Sequence, residues 1–78
     1  MSLLSYDSVL DACGLFCPEP IMLLHQKIAS ISLGQVLLLK TTDPTAKRDI
    51  ERFCEFLDHN LLDYQLEGEV SLFWIQKK

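Results

Sequence analysis

The chain has 78 residues, of which 49% are hydrophobic, and its formal net charge at pH 7 is −4. A chain of this length forms one domain and buries only about 60% of its unfolded surface, which leaves no room for a deep substrate cavity. The acidic excess argues against direct binding of nucleic acid, which requires clustered lysine and arginine. We therefore expect a single domain over residues 1–78, with residues 1–5 disordered and the chemistry at the surface.

The cysteine count and the N-terminal sequence bear on the compartment. Three cysteines are an odd number and too few for a disulfide scaffold. Residues 1–5 (Met-Ser-Leu-Leu-Ser) contain neither a basic segment nor a long apolar stretch, so they predict neither a signal peptide nor a membrane span. These features favour a cytoplasmic protein that does not bind membranes.

The first half of the chain predicts a strand, a helix and a second strand. The loose alternation of Tyr6, Leu10 and Ala12 predicts a strand over residues 6–12. A helix is expected to begin with a first turn over residues 18–20 and to end near Ser30, since its apolar positions follow helical spacing: Ile21, Leu24, Ile28 and Ile31. Gly34 then turns the chain into a continuously apolar run, residues 36–39, which is typical of a central strand.

The second half predicts a helix followed by a hairpin. Asp43 is expected to cap the second helix, with Pro44 at its first position. The buried stripe of this helix is then Ala46, Ile50, Phe53 and Leu57. Beyond it, Leu62, Tyr64 and Leu66 alternate with polar residues, Gly68 supplies a turn, and residues 70–76 form the last strand, with Val70, Leu72 and Trp74 on one face and Phe73 and Ile75 on the other.

The order of these elements is βαβαββ. Two helices must cover one face of a four-stranded sheet, and at least one pair of strands must be parallel. The predicted fold is therefore a two-layer α/β sandwich with a mixed sheet.

One segment carries most of the chemical information. Residues 14–20 read Gly-Leu-Phe-Cys-Pro-Glu-Pro, so Cys17 falls at or beside the N-cap of the first helix, where unpaired N–H groups favour a thiolate. The dipole contributes about 0.3–1 kcal/mol, less than one pKa unit. Glu19 opposes it, so the segment favours a presented thiol of modest activation over a protease-like nucleophile.

With Leu10 and Asp11 just before it, this segment resembles the signature of the TusA/SirA-like sulfur carrier proteins. Residues 43–50 (Asp-Pro-Thr-Ala-Lys-Arg-Asp-Ile) and 53–56 (Phe-Cys-Glu-Phe) form a second matching block, and the similarity covers residues 9–75. Three positions depart from the pattern. Phe16 stands where a basic residue is common, and His25 and Ala29 stand where similar chains often carry arginines in the first helix.

The resemblance implies a fold like that of the C-terminal domain of translation initiation factor 3. It also implies that Cys17 accepts sulfur as a persulfide from a cysteine desulfurase and passes it to a cysteine-bearing acceptor protein, most commonly for thiolation of tRNA. No cofactor or metal is expected in the chain itself, because pyridoxal phosphate belongs to the desulfurase. The residues expected to shape the presenting turn or to bind partners are Gly14, Phe16, Pro18, Glu19, Pro20, Asp43 and Arg48.

Alternative interpretations stay open at this point. Cys17 could be a buried structural thiol, Cys13 could form a redox pair with it, or the domain could be a non-catalytic regulatory or interaction module. Cys54 lies beside Phe53 and is expected in the core, while His25 and His59 are expected at the surface because zinc-ligand spacing is absent. Met22, Leu23 and Phe56 lie off the buried stripes and form either the margin of the core or an apolar docking patch.

Overall fold

The computed structural model describes residues 5–16 and 18–78. Cys17 and four of the five residues expected to be disordered, 1–4, lie outside this part of the chain. The elements follow the predicted βαβαββ order: β1 (Ser8–Ala12), α1 (Glu19–Ser30), β2 (Val36–Thr41), α2 (Ala46–Phe56), β3 (Asn60–Glu67) and β4 (Val70–Gln76).

The four strands form one mixed sheet in the order β1-β2-β4-β3. β1 runs parallel to β2, and β4 runs antiparallel to both β2 and β3. This confirms the mixed sheet and the parallel pair expected from the element order. β1 and β3 are the edge strands of the sheet.

Both helices pack on the same face of the sheet. Leu24 of α1 and Ile50 of α2 are fully buried in one cluster with alternate residues of the central strands: Leu37, Leu39, Phe73 and Ile75. The intervening strand residues form a smaller cluster on the opposite face, made of Leu38, Leu72 and Trp74. The two-layer sandwich and the two faces of β4 are therefore as predicted.

The start of α2 differs from the prediction. The N-cap is Thr45, not Asp43, and Pro44 lies in the turn before the helix. The Oδ1 atom of Asp43 accepts hydrogen bonds from the backbone N–H (2.9 Å) and hydroxyl (2.8 Å) of Thr45. Asp43 thus satisfies a backbone donor as a capping residue does, but in a turn that precedes the helix. At the other end, α2 stops at Phe56, so Leu57 is 38% exposed and Cys54 takes its place in the buried stripe.

β3 also departs from the simple alternation. A bulge between Leu61 and Asp63 sets Leu61 opposite Ile75 and Tyr64 opposite Phe73, so both pack on the helix-covered core. Leu62 and Leu66 are exposed instead. The extra residue breaks the two-residue period, so Leu61 takes the place of Leu62 on the inward face, while Tyr64 lies inward as the alternation predicted.

The backbone of the two C-terminal lysines is hydrogen-bonded to the rest of the fold. The Lys77 N–H donates to the Gln35 carbonyl at 3.0 Å, and the Lys77 ammonium donates to the Ile31 carbonyl at 2.8 Å. The Lys78 N–H donates to Nδ1 of His59 at 3.1 Å. The end of the chain therefore ties the α1–β2 loop to the end of α2.

Candidate functional site

The loop between β1 and α1 leaves the sheet at the edge where β2 also ends. Parallel strands place their carboxyl ends at the same edge, so this loop lies beside the β2–α2 connection. The Gly14 N–H donates to Oγ1 of Thr42 at 2.9 Å, which ties the two connections together. Gly14 has φ +84°, a left-handed backbone conformation that favours glycine. The role predicted for Gly14 in turning the chain therefore has a structural basis.

The loop enters α1 through Pro18, whose ring removes a donor that would have had no partner in the helix. Pro18 is the N-cap (φ −93°), one residue before the observed start of the helix. The Glu19 N–H donates to the Phe16 carbonyl at 3.0 Å, and the Met22 N–H donates to the Pro18 carbonyl at 3.1 Å. Pro20 is buried, so it anchors the first turn against the core. The residues on both sides of Cys17 in sequence are therefore held by the backbone of a helix start.

The surface around this helix start is apolar. Phe16 is 66% exposed, Met22 is 56% exposed and Phe56 is 88% exposed. A groove of about 390 Å³ runs between α1 and α2, lined by Pro18, Ile21, His25, Asp49, Arg52, Phe53, Phe56 and Leu57. The exposure of Met22 and Phe56 is thus compatible with the hypothesis of an apolar docking patch. Leu23 is half-buried on α1, so it fits the margin of the core better than the patch.

The two predicted site residues near the start of α2, Asp43 and Arg48, occupy different environments. Asp43 is 5% exposed and bonded within its own turn, so it shapes that turn. Arg48 is exposed, and its Nε lies 3.9 Å from the Asp49 carboxylate. Contact of either residue with a partner stays a prediction.

Sequence reasoning missed Thr42 and Arg52. Arg52 follows Asp49 by three residues and precedes Phe56 by four, a spacing that puts all three on one face of a helix and could have indicated the groove. Nothing in the sequence signals the bond from Gly14 to Thr42, because 28 residues separate the partners.

Cys13 lies at the start of the same loop and is exposed. Its backbone N–H donates to Oδ1 of Asp11 at 3.0 Å. Desolvation, followed by the neighbouring Asp11 carboxylate, raises the pKa of the Cys13 thiol above its ordinary value. The same contacts lower the pKa of Asp11, with the backbone hydrogen bond from Cys13 as the largest cause. Cys13 is therefore a thiol of low reactivity and not an activated nucleophile.

Cys54 lies in the core, and both histidines contact the ring of Phe53. Cys54 is 4% exposed, and burial raises the pKa of its thiol to about 11, so the prediction of a core cysteine is confirmed. His25 is exposed and its ring meets Phe53 edge-on at 4.7 Å, while Phe53 stacks on His59 at 5.9 Å. Among residues 5–16 and 18–78, no group of histidine, cysteine or carboxylate side chains could hold a metal ion. No helix of the same residues has both the length and the hydropathy to cross a membrane.

The fold and the loop define a class of protein: a small βαβαββ sandwich in which the segment between the first strand and the first helix carries a cysteine followed by proline-x-proline. A search with family models matches residues 8–77 to the family described as sulfurtransferase TusA. The chain belongs to this family.

Curated relatives agree with this assignment. The chain is 51% identical over 75 residues to the sulfur carrier protein TusA of Pseudomonas savastanoi pv. phaseolicola, covering 96% of this chain and 89% of that protein. It is 49% identical to the sulfur carrier protein TusA of Pseudomonas aeruginosa, covering 95% and 94%. The crystal structure of the SirA-like protein from Desulfitobacterium hafniense superposes with a TM-score of 0.79 at 18% identity, covering 90% of this chain and 96% of that chain. This last likeness confirms the fold, and the fold expected from translation initiation factor 3 is consistent with it.

Proposed function

We propose that the protein is a sulfur carrier that accepts sulfur as a persulfide on Cys17 from a cysteine desulfurase and passes it to the cysteine of an acceptor protein. We place this relay in the cytoplasm, upstream of 2-thiouridine formation in tRNA. The observation that carries the proposal is membership of the TusA family together with the cysteine-proline-x-proline segment at the start of α1. It is an enzyme in the limited sense of a sulfurtransferase that carries its substrate.

The chemistry needs no cofactor in this chain. The Cys17 thiolate attacks the outer sulfur of the desulfurase persulfide, forming a new S–S bond as the old one breaks, and the desulfurase cysteine leaves as a thiolate. Transfer to the acceptor repeats the exchange with Cys17 as the leaving thiolate. No electrons are gained or lost overall, so no oxidant or reductant is required.

The surroundings support a carrier more than a catalyst. The positive end of α1 favours an anionic sulfur, but its contribution of about 0.3–1 kcal/mol is small. A persulfide is more acidic than a thiol, so the helix end favours the sulfur-bearing form of Cys17 more than the empty form. The apolar groove includes Pro18, the residue that follows Cys17 in sequence, and offers a surface for the donor to dock.

The direct test is persulfide formation by a purified desulfurase with cysteine and pyridoxal phosphate. Mass spectrometry should show one added sulfur atom on the wild type and on Cys13→Ser, and none on Cys17→Ser. Equal sulfur content in Cys17→Ser would end the assignment of the site. The tRNA branch is tested separately, by measuring 2-thiouridine in a strain that lacks the gene; an unchanged level would move the protein to another sulfur pathway.

A further inference from the structure

The two edges of the sheet are protected to different degrees. Edge strands expose unpaired backbone groups that invite another strand, and bulges or inward charges are the usual protection. β3 has a bulge between Leu61 and Asp63. β1 pairs with β2 in unbroken register from Ser8 to Ala12. It has neither a bulge nor a proline, and its protection is limited to its length of five residues and the charge of Asp11. Within the described residues, the regular edge is therefore the one that leads into the cysteine loop.

A small cleft lies beside this edge, between β1 and α1. It has a volume of about 200 Å³ and is lined by Leu10, Leu23, Gln26, Lys27 and Ser30. Leu10 and Leu23 supply an apolar floor, while the other three residues form a polar rim. Both ion pairs found among the described side chains, Arg48 with Asp49 and Lys78 with Asp58, leave Lys27 out. The cleft thus fits an apolar side chain with a carboxylate next to it.

We propose that an extended, cysteine-bearing segment of the sulfur acceptor adds as a strand to the outer edge of β1. An apolar side chain of this segment enters the cleft, and a carboxylate two residues along the segment, on the same face of the added strand, pairs with Lys27. This mode of recognition takes its affinity from main-chain hydrogen bonds and its specificity from pockets for alternate side chains. The inference rests on the proposed sulfur relay. It explains how an acceptor thiol reaches the end of β1 from which the Cys17 loop departs.

A second copy of this chain fits the same edge poorly. Asp7 and Asp11 lie two residues on either side of Val9. Antiparallel pairing of two β1 strands about Val9 would set carboxylate opposite carboxylate at both ends, and like charges directly opposite are destabilising. The groove between α1 and α2 lies on the other side of α1, so a donor and an acceptor can use separate surfaces.

The transfer step conserves atoms and electrons. The acceptor thiolate attacks the outer sulfur of the Cys17 persulfide, an S–S bond forms on the acceptor, and the bond to Sγ of Cys17 breaks. The proton of the persulfide stays on the transferred sulfur, and Cys17 leaves as a thiolate.

The probe for this edge is a synthetic peptide, acetyl-Cys-Thr-Val-Thr-Glu-Thr-amide, whose Val and Glu lie on the same face of a strand, with a matched peptide that is N-methylated at alternate residues. Both peptides have the same thiol, but the methylated one cannot donate backbone hydrogen bonds on one edge. We expect the persulfidated protein to transfer sulfur to the unmethylated peptide about tenfold faster at sub-saturating concentration, since several backbone hydrogen bonds contribute. Lys27→Glu should remove most of this advantage, and the control Lys78→Glu should retain it. Equal rates for the two peptides on the wild type would overturn the proposal.

Binding is also measured without sulfur chemistry, so that the relay and the edge can fail separately. In ¹⁵N-labelled Cys17→Ser protein, the unmethylated peptide should slow amide hydrogen exchange within β1 and leave β3 unchanged. Protection confined to α1 and α2 would refute strand addition, whatever the outcome of the persulfide assay. A concentration-dependent dimer that the peptide dissociates would assign the edge to a second copy and would also overturn the proposal.

Discussion

Cys13 and Cys54 both lie in surroundings that disfavour a thiolate, for different reasons. Cys13 is exposed beside the Asp11 carboxylate, which disfavours its thiolate, while Cys54 is enclosed by the core. Only the thiolate is nucleophilic, so both environments suppress sulfur chemistry at these positions. The surroundings of Cys13 therefore count against its acting as the attacking thiolate of a redox pair with Cys17.

We predict that Cys54 resists alkylation in the folded protein. Burial raises the pKa of Cys54 from its ordinary value of 9.0 to about 11, which lowers its thiolate fraction at pH 8 on the order of a hundredfold, in addition to steric protection. Iodoacetamide at pH 8, followed by peptide mass spectrometry, should label Cys54 only after denaturant is added. Labelling of Cys54 at the rate of a free cysteine in native buffer would show that the core is open at α2.

At the scale of elements, the start of α1 and the groove beside it are organised by packing. Pro20 is buried and Pro18 caps the helix, so the position of the turn follows from the fold of α1 on the sheet. Phe56 behaves differently, because it is 88% exposed at the last position of α2 and contributes little to the core. Because Phe56 lines the groove between α1 and α2 together with Pro18 and Ile21, it belongs to a contiguous apolar surface of the kind that binds a partner.

We therefore predict that Phe56→Ser slows persulfide formation from the desulfurase without unfolding the protein. The rate at low donor concentration should fall about tenfold, as is common when an interface aromatic is truncated. The free energy of unfolding should change by no more than about 0.5 kcal/mol, because the side chain is exposed. The control is Leu33→Ser, which removes an equally exposed apolar side chain from the loop after α1. A comparable loss of rate in Leu33→Ser would show that the effect is not specific to the groove.

For the whole molecule, the sequence predicts the elements and the buried faces that follow from a regular spacing of apolar residues. The six elements, the buried positions of α1 and the two faces of β4 all follow from spacings of 3.6 or two residues. The position of Leu61 does not, because the β3 bulge depends on how two strands are paired. The true start of α2 was also missed, because the Asp43 carboxylate accepts hydrogen bonds from Thr45 in a turn that precedes the helix.

The candidate site could be predicted only where its residues are neighbours in sequence. The cysteine segment is local in sequence, so Gly14, Pro18 and Pro20 could be assigned roles before the structure. The groove, the Thr42 contact and the cleft beside β1 each combine side chains from distant segments. Such surfaces depend on packing geometry, which a single sequence does not encode in any short pattern.

The fixed C-terminus gives the molecule a pH-sensitive contact at His59. Nδ1 of His59 accepts a hydrogen bond from the Lys78 N–H, and a protonated imidazole cannot accept it. Burial, and secondly the charge of Lys77, lower the pKa of His59 below its ordinary value of 6.5. A histidine with a lowered folded pKa binds protons more readily in the unfolded chain. Its stabilising contribution is therefore complete above pH 6.5 and is lost as the pH falls through and below that value.

We predict that the wild type loses stability between pH 7.5 and pH 5.5 and that His59→Gln loses less. Urea unfolding can be followed by the fluorescence of Trp74, the only tryptophan of the chain, which is 3% exposed in the folded state. The control is His25→Gln, because His25 accepts no hydrogen bond from the C-terminal segment and lies at the surface. The denaturation midpoint of His25→Gln should follow the wild type at both pH values. A pH dependence in His59→Gln equal to that of the wild type would place the sensitivity in the carboxylates and not in the contact between His59 and the chain end.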